Sequence, residues 1–360
     1  MTSAPNDQFS VSVVIPCFNR LDLTKACLAA LEAAITDIPY EVILIDNAST
    51  DGTAEFMHSI AGPRCQVLFN AENLNFAGAC NQGLTMARAP YTLLLNNDTE
   101  VTPGFLLPLL QVLQQEPDVG IVGSKLLYPD GTVQHAGVVL WHHNPGELLS
   151  FGHVYQGWPA DAACVSRRRD LQVVSAACVL LPTELGLRCQ GFDTRFRNSC
   201  EDIDLCLRMR VAGYRVVYEP ASVVVHHESQ TPGRTDADHD NLLHLFELWN
   251  GKVFSDDREI YQQDGYSQLA ELVERCGRMR QAVSRYQPLP GVYPPATAAA
   301  WQAQRPLVHD GATPEQRDEM LSRHAEMSAA IIDAYAVANL AMSIAQQSEA
   351  RLAGLTVARR

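Results

Sequence analysis

TLLLNNDTE, residues 92–100, is the stretch on which the reading of this 360-residue chain turns. A continuous apolar run bounded by turn formers predicts a strand buried on both faces, and this one stops at Asn96, Asn97 and Asp98. In an open α/β sheet, ligands bind in the crevice outside the carboxyl ends of the strands. Asp98 is thereby expected to face a cleft. A single carboxylate there suits a hard divalent cation that bridges two phosphates and keeps its other positions for water and ligand. The same three residues are ordinary turn formers, and from them alone the turn reading stands beside the metal one.

Upstream, VSVVI at 11–15 reads as a strand stopped by Pro16 and followed by a helix over 21–34. EVILI at 41–45 is the next strand and ends in Asp46 and Asn47; Asp51 is placed to cap a helix that begins near Thr53. That leaves Asp46 and Asn47 without a local role. A short strand over 66–69 and a small-residue turn at 73–83 leading into a helix complete the approach to residue 92. Strand and helix alternating at this spacing predict parallel βαβ units with right-handed crossovers.

Downstream the alternation loosens. The pattern predicts a helix over 105–115, strands over 119–124 and 133–140, a loop-like stretch from Trp141 to Arg169, and a buried strand over 173–181. A helix over 201–212, closed by Gly213, and strands over 214–218 and 222–225 follow. Helices over 237–249 and 258–285, a proline-bearing connector and a last helix complete the chain. The expected division is a catalytic domain over 1–235, a helical extension over 236–286, a linker over 287–314 and an amphipathic helix over 315–360. Ile331, Tyr335, Ala338, Met342 and Ala345 form one apolar stripe on that helix. It packs either on its own domain or on a partner, a second copy included, and periodicity does not choose between them.

Bulk properties narrow the function. A formal charge of -14 argues against general nucleic-acid binding, which needs a basic footprint. Ten cysteines without a CxxC pair read as reduced thiols of a cytoplasmic protein. MTSAPNDQFS has neither the basic nor the apolar region of a secretion signal. The apolar stretch from Ala325 to Ala345 is broken by Glu326, Asp333 and Asn339 and does not read as a membrane span. The expected location is the cytoplasm, free or peripheral at the inner membrane.

SCEDIDLC, residues 199–206, is the second informative stretch. Ser199 with Asp202 three residues on imitates a capping box. A carboxylate at a helix start is also kept ionised by the helix terminus and suits a general base. His226 and His227 follow a run of valines, and a neutral imidazole is a metal ligand as well as a common structural group. Nothing local separates the two. Arg167, Arg168 and Arg169 read as a solvated charge run.

Taken together and in order, these stretches resemble the family 2 glycosyltransferases of the GT-A fold, in particular the rhamnosyltransferase-like enzymes that build bacterial surface glycans. VSVVIPCFNR, EVILIDNASTDGT, NLNFAGACNQG, LLLNNDTEV, VGSKLLYPDGTVQHAGVV, GFDTRF, EDIDLCLRMRVAGYRVVYEP and VVVHHES carry the resemblance, over about residues 11–231. It implies an α/β, Rossmann-like mixed sheet with a C-terminal helical extension. It further implies a metal-dependent, inverting hexosyltransferase moving a sugar from a nucleotide-diphosphate donor, dTDP-rhamnose being the family's commonest suggestion. The acceptor would be a hydroxyl of a glycan, a lipid-linked glycan or a protein.

Carried onto this sequence, the resemblance places Pro16 and Asn19 at the nucleotide and Asp46 at its base, with Asn47 in the donor set. Asn81 and Asn97 lie near the nucleotide or ribose, and Arg208 is a candidate phosphate contact. Asp98 matches the last acid of the Asp-x-Asp motif and, with His226, binds Mn2+ or Mg2+. Asp202 matches the catalytic base, with Glu201 beside it. Two positions depart from the pattern: Asn96 stands where the motif has its first acid, and Ser175-Ala176-Ala177 replaces a Gly-containing segment before the acceptor-side strand. The first departure keeps an alternative open, a catalytically decayed GT-A protein that acts as a binding or scaffolding module.

Overall fold

Every residue of the first strand is buried, as a central strand covered on both faces requires. The computed structural model describes residues 9–141, 150–228 and 238–264. Its first half alternates strand and helix: β1 (Val11–Cys17), α1 (Leu21–Ala34), β2 (Tyr40–Asp46), α2 (Thr53–Ile60), β3 (Cys65–Phe69), α3 (Asn75–Met86) and β4 (Tyr91–Leu95). β1 pairs in parallel with β2 and β4, and β2 in parallel with β3. The carbon that alanine would add at Gly83 falls 2.2 Å from Val14 Cγ1, so α3 lies on β1 at a separation only glycine permits.

The second half runs β5 (Thr99–Val101), α4 (Leu106–Gln115), β6 (Val119–Leu127), β7 (Val133–His135), β8 (Val138–Trp141), β9 (Ser150–His153), β10 (Arg169–Leu171), β11 (Cys178–Pro182), α5 (Thr183–Arg188), α6 (Glu201–Val211), β12 (Arg215–His226), α7 (Asp238–Trp249) and α8 (Asp257–Gln263). A ten-stranded mixed sheet has the order β10-β12-β6-β11-β4-β1-β2-β3, with β5 added on β12 and β7 on β6. β11 is antiparallel to β4 and β6, and β12 is parallel to β6. The carboxyl ends of β1, β2, β4 and β12 and the start of β11 therefore share one edge. Antiparallel pairing of β5 with β12 sets His226 opposite Thr99. That register brings the end of β12 beside Asp98.

Several elements differ from the sequence expectation, each for a local reason. Pro16 does not stop β1: Cys17 O accepts from Asn47 N on the β2 side, so Pro16 faces β4, where pairing has already ended at Val14. The missing N–H has no ladder partner there. The strand expected over 133–140 breaks at Gly137, whose φ is +115°. β11 starts only at Cys178 because the amides of Ser175 and Ala176 bond side chains instead of a neighbouring strand. The two strands expected over 214–225 are one, interrupted where its register on β6 jumps from Glu219 to Val223. Short β9, β10 and α5 lay below what periodicity resolves.

The described residues form two compact units: one takes residues up to Val138 and from His153 to His244, and the other takes those between Val139 and Gly152 and from Leu245 to Asp264. Within the second unit, Leu140 and Asp256 exchange hydrogen bonds, Leu140 N to Asp256 Oδ1 at 2.8 Å and Asp256 N to Leu140 O at 3.0 Å. The helix expected over 258–285 is described only as far as Asp264, and the connector and the final helix with its stripe lie outside the described residues. No helix among the described residues is long and apolar enough to cross a membrane.

One buried charge ties the parallel strands together. Glu41 accepts from Ser12 Oγ at 2.7 Å, Gln66 Nε2 at 3.0 Å, and Arg88 N and Nε at 2.9 and 2.6 Å. Burial alone would raise its pKa, but the bonds from Arg88 and Ser12 outweigh burial and hold it below the usual value. A carboxyl lowered on folding stabilises above its unfolded pKa, and that stability is lost as pH falls through the folded value. Glu41→Gln is expected to cost about 2–3 kcal/mol at pH 7. In urea unfolding the gap from the unsubstituted protein should shrink as the pH is taken below about 4.

Candidate active site

A cleft opens at the shared strand edge. Pro16, Phe18 and Asn47 line one side, Asn96, Asn97 and Asp98 the end of β4, Ser175 to Ala177 the approach to β11, Glu201 and Asp202 the start of α6, and His226 the end of β12. Asn73, Asn75, Phe76 and Asn198 complete it. Among the described residues no Lys or Arg lines it, whereas Asp98, Glu201 and Asp202 do.

At one corner His226 and Asp98 meet, Nε2 to Oδ1 at 3.2 Å. The Gln134 amide donates to His226 O at 3.3 Å and to Glu228 Oε2 at 3.2 Å. Its carbonyl oxygen therefore faces His226 Nδ1 at 2.6 Å, and Nδ1 carries the hydrogen. The Nε2 lone pair is left toward Asp98 and toward Asn96 Nδ2, 3.2 Å away. The other amide atom, Asn96 Oδ1, is buried with no hydrogen-bond donor. Among the described residues no three of His, Cys, Asp and Glu come together. One carboxylate, one imidazole nitrogen and one orphaned amide oxygen are the groups here that could hold a cation. Such N and O donors fit Mn2+ or Mg2+. His227 turns away: its N donates to Asp98 O at 2.9 Å and its ring pairs with Glu100 at 2.7 Å.

At the start of α6, the cap residue is Cys200 in a left-handed conformation, and no side chain caps the helix. The capping box suggested by Ser199 and Asp202 does not form. Asp202 lines the cleft instead, with Oδ1 accepting from Ile203 N at 2.9 Å and Oδ2 from Ala176 N at 3.1 Å. Glu201 beside it is buried.

The remaining sequence candidates divide. Asn47 is buried at the rim, where its amide donates to Asn75 O at 3.1 Å and accepts from Asn70 Nδ2 at 2.9 Å. Asn97 donates to Thr24 Oγ1 at 3.0 Å. Asn19 and Asp46 are not among the lining residues. Both hold the loop after β2: Asn19 Oδ1 accepts from Thr50 N at 2.8 Å and the Asp46 carboxylate from Ser49 N at 3.3 Å. Asp51 likewise serves two helices, accepting from Leu21 N at 3.0 Å and Thr53 N at 3.2 Å.

Two candidates are engaged elsewhere. Asn81 neither lines the cleft nor keeps a free amide, since it bonds both main-chain groups of Phe192 at 2.8 Å. Arg208 points its fork at Asp204 and at the carbonyls of Cys189 and Gly191, which leaves a phosphate contact no place there. Nor is the arginine run uniformly solvated, because Arg169 is buried and donates to Cys164 O.

Sequence reasoning missed Gln134, which fixes the His226 tautomer, and Asn198. Asn198 has a φ of +58° and joins the loop before α6 to the start of α3, accepting from Phe76 N at 3.2 Å. Asparagine tolerates that backbone region, which was the available signal.

Comparison with known proteins adds three findings. Residues 12–168 match the profile of Glycosyl transferase family 2. Among curated relatives, the O-antigen biosynthesis protein RfbC of Myxococcus xanthus is 34% identical over 63% of this chain and 18% of its own length. The N-acetylglucosaminyl-diphospho-decaprenol L-rhamnosyltransferase of Mycobacterium tuberculosis is 29% identical over 59% of this chain and 74% of its own. This chain spans a quarter or less of the two relatives that are 34% identical to it. Among solved structures, the mannosyltransferase PcManGT of Pyrobaculum calidifontis, in complex with GDP-Man and Mn2+, superposes with a TM-score of 0.52 at 19% identity, covering 94% of this chain and 88% of its own. The mixed α/β fold is the GT-A fold.

Proposed function

We propose that this chain is a glycosyltransferase of family 2, whose profile residues 12–168 match, and that it moves a sugar from a nucleoside diphosphate donor to an acceptor hydroxyl in bacterial surface-glycan synthesis. The observation that carries this reading is one cleft holding both a metal-suited corner, at Asp98 and His226, and an oriented carboxylate, Asp202. The names of the mycobacterial and myxococcal relatives support a rhamnosyl donor and a surface-glycan acceptor, lipid-linked in the first case. We assign the chemistry to residues 1–235 and the chain beyond them to acceptor, partner or self-association contacts. The reaction belongs in the cytoplasm, at the inner membrane when the acceptor is lipid-linked.

The acceptor oxygen attacks the anomeric carbon as the bond from that carbon to the diphosphate breaks, so configuration inverts. Asp202 takes the hydroxyl proton. A carboxyl with a reference pKa of about 3.9 is ionised at pH 7 but weakly basic, so orientation must supply much of the rate. Both of its oxygens are held by amides, which fixes that orientation. Asp98, His226 and the Asn96 amide oxygen would hold Mn2+ or Mg2+, which when bound supplies positive charge against the leaving diphosphate. Among the described residues the cleft wall offers no Lys or Arg for that purpose.

Gln134 would act on the cation through His226. Gln134→Ala is expected to weaken Mn2+ binding about 10- to 100-fold, read by calorimetric titration. The function itself is tested by following nucleoside diphosphate release from a panel of activated sugars with and without Mn2+. No release from any donor, with nucleotide binding intact, would favour the binding-module alternative instead.

A further inference from the structure

We propose that His135, kept in one neutral tautomer by His153, is a positioning residue for Asp202: it accepts the Ser175 amide hydrogen and so fixes the turn whose next amide is bonded to the Asp202 carboxylate. His135 is wholly buried on β7. Ser175 N donates to its Nε2 at 3.3 Å, so the ring hydrogen sits on Nδ1 and is given to His153 Nδ1, 3.0 Å away on β9. The groups around it come from two elements: His153 on β9, and from β12 the Tyr218 ring, edge-on at 6.2 Å, and, acting through space, His226. Burial first, then the two histidines, lowers its pKa well below the ordinary imidazole value. It stays neutral, and Nε2 keeps its lone pair.

Ser175, Ala176 and Ala177 are pinned at successive groups. Ser175 N bonds His135, Ala176 N bonds Asp202 Oδ2 at 3.1 Å, and Ala177 O accepts from Asn96 N at 3.0 Å. The Ser175 and Ala176 amides belong to adjacent peptide planes joined at the Ser175 Cα, so anchoring the first leaves only φ and ψ of Ser175 to redirect the Ala176 N–H. A hydrogen bond to the charged form of a carboxyl favours ionisation. His135 thus helps aim Asp202 and keep it charged without touching substrate. The catalytic meaning rests on Asp202 being the base, as proposed above.

The test follows the Asp202 carboxyl titration by 13C NMR on the full chain, beside thermal unfolding and Mn2+-dependent nucleoside diphosphate binding. His135→Phe keeps a ring and removes the acceptor. The Asp202 midpoint is expected to rise by about one pH unit, with nucleotide affinity within about twofold of the unsubstituted protein. His135→Asn, whose amide oxygen can accept the Ser175 hydrogen, should bring the midpoint part of the way back. An unmoved midpoint in folded His135→Phe overturns the proposal. Should that variant not fold, His153→Phe carries the test: mixed His135 tautomers in long-range 1H–15N spectra and a raised Asp202 midpoint support it, and an unchanged midpoint overturns it. Unaltered sugar transfer by Asp202→Asn would remove the base assignment while leaving this coupling standing, so the two failures are distinguishable.

Discussion

Asp202→Asn lowers sugar transfer by about 10²- to 10⁴-fold, the range a positioned general base contributes, and leaves Mn2+-dependent nucleotide binding unchanged. The amide is nearly isosteric, so one oxygen still accepts from an amide of the cleft wall, but no group remains to take the acceptor proton. Both outcomes can be read on one preparation, by nucleoside diphosphate release in the presence of acceptor and by titration calorimetry in its absence. Transfer near the unsubstituted rate would remove Asp202 from the reaction. Loss of nucleotide binding together with transfer would mean that the carboxylate holds the start of α6 and its loop in place.

Asp98→Ala produces the complementary loss. Removing the carboxylate that meets His226 Nε2 is expected to weaken Mn2+-dependent nucleoside diphosphate binding about a hundredfold or more, since even groups one shell out cost 10- to 100-fold. Metal-independent affinity should change little. Equal affinity with and without the substitution, Mn2+ present, would contradict the ligand role. Alanine leaves His226 bonded to Gln134, so the corner keeps its shape and the effect reports charge more than collapse.

The parallel half of the fold was legible because β1, β2 and β4 are almost wholly buried and the helices keep a clean period, and the expected and observed limits of α1 coincide at Leu21 and Ala34. The edge region was not. β9, β10 and α5 are too short for any period, and the turn before β11 reads as strand because its residues are small and apolar while its amides answer to His135 and Asp202. At the cleft, Asp98, Asp202 and His226 could be picked from residue type and place along the chain. The placement of Arg208 and Asn81 could not be judged that way, since each is engaged by a partner 17 or 111 residues away. The choice between His226 and His227 likewise depended on the cross-strand register of β5 and β12.

Pro16 sits where β1 and β4 part. An amino acid with a free amide at that place would offer the end of β4 a further rung, at the rim of the cleft. At the mouth of the cleft, Pro16 thus acts through its inability to donate.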